Sequence, residues 1–154
     1  MTGVQTCALP ISWKQIFLDE VAGELDLDRV IFLGKVSPRD YLKILQVSAC
    51  HVYLTYPFVL SWSCVEALSA GCLVVGSATP PVEEVIEPGK NGLLVDFFDR
   101  QAWADTVSDC LANPEKYAPL RAAARQKAIE QYDLATVCLP RQLKLVDSVA
   151  QLRS

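Results

Sequence analysis

From Trp13 onward the chain alternates amphipathic segments of helix length with apolar runs too short to be helices, and this alternation most restricts its fold. The runs are Val30–Gly34 (VIFLG), Cys50–Thr55 (CHVYLT), Cys72–Ser77 (CLVVGS) and Leu93–Val95 (LLV), each of strand length and closed by turn residues or by a helix start. Between them lie helical patterns: Trp13, Ile16, Phe17 and Val21 on one face, a segment from Pro38 to about Val47, a segment around Glu66, and PPVEEVI. After Leu93–Val95 only helical patterns follow, over Ala102 to Leu111, Lys116 to Tyr132 and Leu134 to Leu152, with Pro114 as an interruption. Parallel strands need crossover connections, and helices supply them. The pattern therefore predicts one α/β domain with a mainly parallel sheet flanked by helices.

Local signals mark several boundaries. Ser37 stands where a helix N-cap is needed, Pro38 at the first helical position and Asp40 in the capping-box position. Gly71 ends the segment around Glu66, and EPGKNG reads as a turn before Leu93.

The formal net charge is -4, and no block of Lys and Arg interrupts the sequence, so there is no electrostatic footprint for a nucleic-acid backbone. Pro, Ser, Glu or Gly breaks every apolar run well short of the roughly 20 residues that a membrane-spanning helix requires. Cys7, Cys50, Cys64, Cys72, Cys110 and Cys138 form no CxxC pair, and the last five fall within apolar or helical patterns. They read as small buried hydrophobes of a reducing cytoplasm; the protein is expected there, at most peripheral to the inner membrane face. Residues 1–12, MTGVQTCALPIS, lack the plan of a signal peptide and resemble an in-frame translation of a sequencing adapter. They are set apart from the domain, which is expected to occupy residues 13–154.

In open parallel sheets, ligands bind beyond the carboxyl ends of the strands, where loops turn into helix N-termini. The loop TYPFVLSWS lies at such an end, and the amides of Ser61, Trp62 and Ser63 would open the next helix as a seat for a phosphate. Glu66 follows about one turn into that helix. Its carboxylate could cap the helix, or it could accept hydrogens from two hydroxyls of a ligand such as ribose.

The stretch from Tyr56 to Val95 weighs on that choice: Glu66, Ala67, Gly71 and Gly92-Leu93-Leu94-Val95 stand in the order and spacing of a known family. The chain from about Trp13 to Tyr132 resembles the donor-binding C-terminal domain of the retaining glycosyltransferases of the GT-B fold, the "group one" family. The resemblance implies a Rossmann-like half of that fold and a nucleotide diphosphate sugar as donor substrate, with no further cofactor and no metal. It gives Glu66 the ribose hydroxyls, and it gives Gly34, Lys35 and Val36 a backbone contact with the base. Read without it, Gly34 is a turn glycine before a capped helix.

The family pairs Glu66 with an earlier glutamate eight positions before it, and here that place holds Phe58. The glycine-rich turn of the family is likewise replaced by Val59, Leu60 and Ser61. No catalytic residue can be carried over, so binding is better supported than catalysis. The resemblance implies that an Arg and a Lys that hold the diphosphate precede the present region, and that the acceptor, a carbohydrate or lipid-linked glycan, comes by way of a separate N-terminal domain. The alternative is a non-catalytic nucleotide-binding or regulatory α/β module.

The doubly wound strand order 3-2-1-4-5-6, implied by the resemblance, makes Val30–Leu33 the third strand, with two strands missing before it. An isolated chain of this kind is expected to be unstable, to expose a sheet edge and to associate. Its last helix, with Leu139, Leu143 and Val146 in a stripe, should lack part of its cover. Among other candidates, His51 reads as structural at a strand start. Glu83 and Glu84 after Pro80-Pro81 read as helix-start acids, Lys90-Asn91-Gly92 as a turn, and the acids Asp96 and Asp99 as lacking metal-ligand spacing.

Overall fold

The computed structural model describes residues 12–56 and 58–152. The chain divides into two units, Met1–Val36 and Ser37–Ser154, and each is described by itself. The adapter-like segment lies outside the described residues apart from Ser12. That serine caps α1 (Trp13–Val21), its Oγ accepting the Gln15 amide at 3.2 Å.

The larger unit is organised on three parallel strands, β1 (His51–Tyr53), β2 (Val74–Ser77) and β3 (Leu93–Val95), in the order β1-β2-β3. His51 stands beside Val74 and Tyr53 beside Gly76, while Val75 pairs with Leu93 and Ser77 with Val95. Every residue of β2 is buried because helices cover both faces of this central strand. Its side chains alternate between two cores. Val74 joins Cys64, Ala67, Leu68, Val82, Ile86 and Ala124 on one face; Leu73 and Val75 join Val95, Trp103, Cys110 and Tyr117 on the other.

The first face is covered by α2 (Pro38–Val47), α3 (Trp62–Ser69), the single turn α4 (Pro80–Glu83) and α6 (Ala118–Tyr132). The second is covered by α5 (Arg100–Ala112), whose Trp103 indole donates to the Asp96 carbonyl at 2.9 Å. A 3-10 turn, Pro114–Tyr117, links α5 to α6, and a π-turn, Leu134–Cys138, leads to α7 (Leu139–Gln151), which buries none of its residues.

The start of α2 is built from the expected residues. The Ser37 hydroxyl oxygen accepts the Asp40 amide at 3.2 Å and donates to the Asp40 carboxylate at 2.8 Å. Gly71 ends α3 at φ 73°, a backbone state that costs an L side chain and suits glycine. Glycine is required at Gly76 for space, since a Cβ there would stand 2.9 Å from the Val82 side chain. In the turn before β3, buried Asn91 donates to the Val85 carbonyl and accepts the Glu87 amide, so its amide group completes a backbone that no strand or helix satisfies.

One expected strand is absent. Val30–Leu33 forms no ladder, and Ile31, Phe32 and Leu33 are exposed. An apolar run becomes a strand only where a neighbour takes its backbone hydrogen bonds, and none is offered to it among the described residues of its unit. β1 has a ladder partner on one side among the described residues, and Val52 and Leu54 are exposed. No helix among the described residues is long and apolar enough to cross a membrane.

His51 lies at the amino end of β1. Burial lowers its pKa, and its Nε2 has no hydrogen-bond partner among the described residues. The five described cysteines are free thiols; burial pushes Cys64 up to about 12, which disfavours the reactive thiolate.

Asp109 on α5 supplies an acid-sensitive contact. Hydrogen bonds from Lys116, Tyr117 and Asn113 lower its pKa from 3.8 to about 2. A carboxylate held below its unfolded pKa contributes stability that is complete above about pH 4 and lost as pH falls toward 2. Asp109→Asn is therefore expected to flatten the acid limb of the unfolding curve between those pH values and to leave the pH dependence of the neutral region unchanged. An unchanged acid limb would show that the network does not persist in solution.

Candidate functional site

The carboxyl ends of the three strands gather three loops. β1 leads into residues 54–61, β2 into Ala78 and Thr79, and β3 into residues 96–99. Side-chain hydroxyls tie them together. Buried Ser77 accepts the Thr55 amide at 3.2 Å and donates to the Thr55 carbonyl at 2.9 Å. The Ala78 amide donates to the Val95 carbonyl at 2.7 Å, and the ring of Tyr56 meets Phe97 edge-on, with centroids 5.7 Å apart.

Helix α3 begins at this rim. Ser61 is its N-cap, with an Oγ that accepts the Ser63 amide at 3.3 Å and the Ser63 hydroxyl hydrogen at 3.1 Å. The Ser61 amide donates to the phenolic oxygen of Tyr53 at 2.7 Å. Of the three amides expected to seat a phosphate, Ser61 and Ser63 are thus bonded within the chain. The Trp62 amide has no hydrogen-bond partner among the described residues. The helix start is intrinsically capped, so an anion would meet one free amide and the dipole rather than an open cradle.

Glu66 is exposed, one turn beyond Trp62 on the same side of α3. Among the described residues its carboxylate makes no hydrogen bond or ion pair, so it does not act as the helix cap; Ser61 has that role. Its charge contributes, after burial, to the raised pKa of the Tyr41 phenol on α2. The opposite side of the helix carries Cys64, Ala67 and Leu68, all fully buried. The other end of α3 is held from α6, where Arg121 donates to the Gly71 carbonyl at 2.9 Å and Arg125 to the Ser69 carbonyl.

The aromatic loop is open to solvent, with Tyr56, Phe58 and Trp62 all exposed. Trp62 also walls a hollow of about 260 Å³ with Leu60, Ser61, Val65 and Tyr132. Thr79, at the end of β2, is buried, and its hydroxyl has no hydrogen-bond partner among the described residues. As N-cap of α4 it has little to bind: the next two residues are Pro80 and Pro81, which lack amide hydrogens, and the Val82 amide goes to the Thr79 carbonyl.

Ser61, Trp62, Ser63 and Glu66 are therefore brought together at one rim. Gly34, Lys35 and Val36 belong to the smaller unit, where Gly34 adopts φ 64° and Lys35 is exposed. Three hydroxyl residues of the rim, Tyr53, Ser77 and Thr79, were not singled out by sequence reasoning. A serine closing a fully buried strand was a readable signal, because a buried hydroxyl must find partners. The Tyr53 contact was not, since it depends on how the loop of residues 54–61 closes. No group of His, Cys, Asp and Glu among the described residues could hold a metal ion.

Comparison with known proteins bears on this arrangement. Residues 15–127 match the family described as Glycosyl transferases group 1. The D-inositol 3-phosphate glycosyltransferase of Corynebacterium urealyticum is 31% identical over 113 residues, covering 69% of this chain and 27% of that protein. Spore coat protein SA of Bacillus subtilis is 31% identical over 108 residues, covering 69% of this chain and 29% of its own length. The chain thus spans less than a third of these relatives.

Among solved structures, Anabaena HepE in complex with UDP superposes with a TM-score of 0.79 at 22% identity, over 88% of this chain and 37% of that one. Sucrose-phosphate synthase from Thermosynechococcus elongatus gives 0.77 at 23% identity, over 90% of this chain and 35% of that one. The parallel sheet with helices on both faces is thus the fold of GT-B glycosyltransferases. With a family match covering most of its length and that fold beneath it, the chain belongs to the group 1 glycosyl transferases.

Proposed function

We propose that this chain is the donor-binding part of a retaining glycosyltransferase and that its rim takes a nucleotide diphosphate sugar. The observation that carries the reading is Glu66, an exposed carboxylate with no hydrogen-bond or ion-pair partner among the described residues, standing at the carboxyl ends of parallel strands in a chain of this family. A carboxylate so placed can accept hydrogen bonds from two vicinal hydroxyls of a ribose, and charge-assisted bonds of this kind are the strong ones. HepE has been solved with UDP and with UDP-glucose, which agrees with such a ligand.

In this reading the Trp62 amide and the α3 dipole face the diphosphate. Stabilising the leaving diphosphate requires positive groups aimed at its developing charge. The donor-binding part then works with preceding basic residues that hold the diphosphate and with an N-terminal domain that binds the acceptor carbohydrate or lipid-linked glycan.

Phe58 in the place of a family acid, together with the two engaged amides, favours a second reading: a regulatory module that binds a nucleotide without transferring sugar. Calorimetric titration with UDP and UDP-glucose, followed by an assay for released UDP with sugar acceptors, separates the readings. Saturable binding of both below millimolar concentration is expected, with no turnover by this chain alone. A chain that binds neither nucleotide at millimolar concentration would overturn the donor-site reading. If joining this chain to its N-terminal part produced binding without turnover, the regulatory reading would stand instead.

A further inference from the structure

The loop between β1 and α3 is clasped at both ends by side chains from the strands beneath it. At its start Ser77 exchanges two hydrogen bonds with the Thr55 backbone, at 3.2 and 2.9 Å. At its finish the Tyr53 phenolic oxygen accepts the Ser61 amide at 2.7 Å across eight residues of chain. Both clasping side chains are buried, whereas Tyr56, Phe58 and Val59 between the clasps are exposed. The residue held by Tyr53 is the N-cap of α3, so the hydroxyl of a core tyrosine sets where that helix begins, and Glu66 follows one turn later. Arg121 and Arg125 hold the other end of the same helix.

We infer that Tyr53, aided by Ser77, is a positioning residue that acts on donor binding through Glu66. The inference rests on the donor-site reading of Glu66. A carboxylate meets two ligand hydroxyls at once only if its helix start is already in register, and a clasp formed on folding removes the need to order the loop when the nucleotide arrives. The Tyr53 ring packs in the core cluster while the hydroxyl alone makes the clasp, so the two roles separate chemically. Tyr53→Phe keeps the packing and deletes the acceptor.

The test is UDP titration of the full chain as wild type, Tyr53→Phe, Glu66→Ala and the double variant, with amide hydrogen exchange at Ser61. Loss of the clasp is expected to weaken UDP binding about fivefold, the scale of one hydrogen bond, and to speed exchange at Ser61. In the Glu66→Ala background the same change should weaken binding less, because the part of its effect that passes through Glu66 is already lost and only the part through the Trp62 amide remains. Ser77→Ala should shift binding in the same direction.

Wild-type binding that Tyr53→Phe leaves unchanged would overturn the inference alone. So would equal weakening in both backgrounds, which would mean that Tyr53 acts independently of Glu66. A wild-type chain that fails to bind UDP would overturn the donor-site reading and this inference with it.

Discussion

Glu66→Ala is expected to weaken UDP binding more than tenfold while leaving the unfolding midpoint within experimental scatter of the wild type. The two halves of that statement have one cause. Glu66 is exposed and makes no hydrogen bond or ion pair among the described residues, so folding gains little from it and its truncation removes little. A bound ribose would meet the same carboxylate through charge-assisted hydrogen bonds, which contribute about 1.5 to 3 kcal/mol, or roughly one to two powers of ten in affinity. Glu66→Gln retains the shape and one acceptor oxygen without the charge, and should fall between the two. Calorimetry on the three proteins checks the order. An affinity for UDP that is equal in wild type and Glu66→Ala would remove Glu66 from the site.

Two residues further along the same helix, Leu68→Ala should do the opposite. Leu68 is fully buried between α3, the sheet and α6, in the cluster that includes Val74, Val82 and Ala124. Deleting its terminal carbons loses their transfer free energy and leaves a cavity, a change that costs about 2 to 5 kcal/mol. For a chain of this size that corresponds to a fall in Tm on the order of 10 °C. Urea denaturation followed by tryptophan fluorescence and far-UV circular dichroism would measure it. At saturating UDP below the transition, the fraction that remains folded should still bind. A loss under about 1 kcal/mol would contradict the packing of α3 on the sheet, since that is the range of an exposed position.

Much of the fold was legible because its signals are local. Ser37, Pro38 and Asp40 mark the start of α2 through contacts within a single turn, and Gly71 ends α3 through its own φ of 73°. The short apolar runs at residues 50–55, 72–77 and 93–95 predicted β1, β2 and β3 in sequence order, because each is bounded by turn residues or helix starts and separated from the next by a helix. The position of Glu66 near the start of a helix that follows a strand was readable on the same grounds. Its exposed setting agrees with the period of α3, which turns Cys64, Ala67 and Leu68 inward.

Contacts between segments were decided only by the tertiary structure. Val30–Leu33 has the composition of a strand and forms none, because strand geometry is completed by a neighbour's backbone and composition cannot supply that neighbour. The amides of Ser61 and Ser63 looked free to any reader of the sequence, yet the first is taken by Tyr53 and the second by the Ser61 side chain. Whether Ser61 met a phosphate or a phenol depended on where the loop of residues 54–61 placed it against the end of β1. By itself, then, the sequence determined which segments become helices and where most strands lie, since those choices are made within a few residues of chain. Which hydroxyls close over the start of α3, and so how Glu66 is held, was determined by the packed sheet, because each of those contacts joins residues that only the closed loop brings within hydrogen-bonding distance.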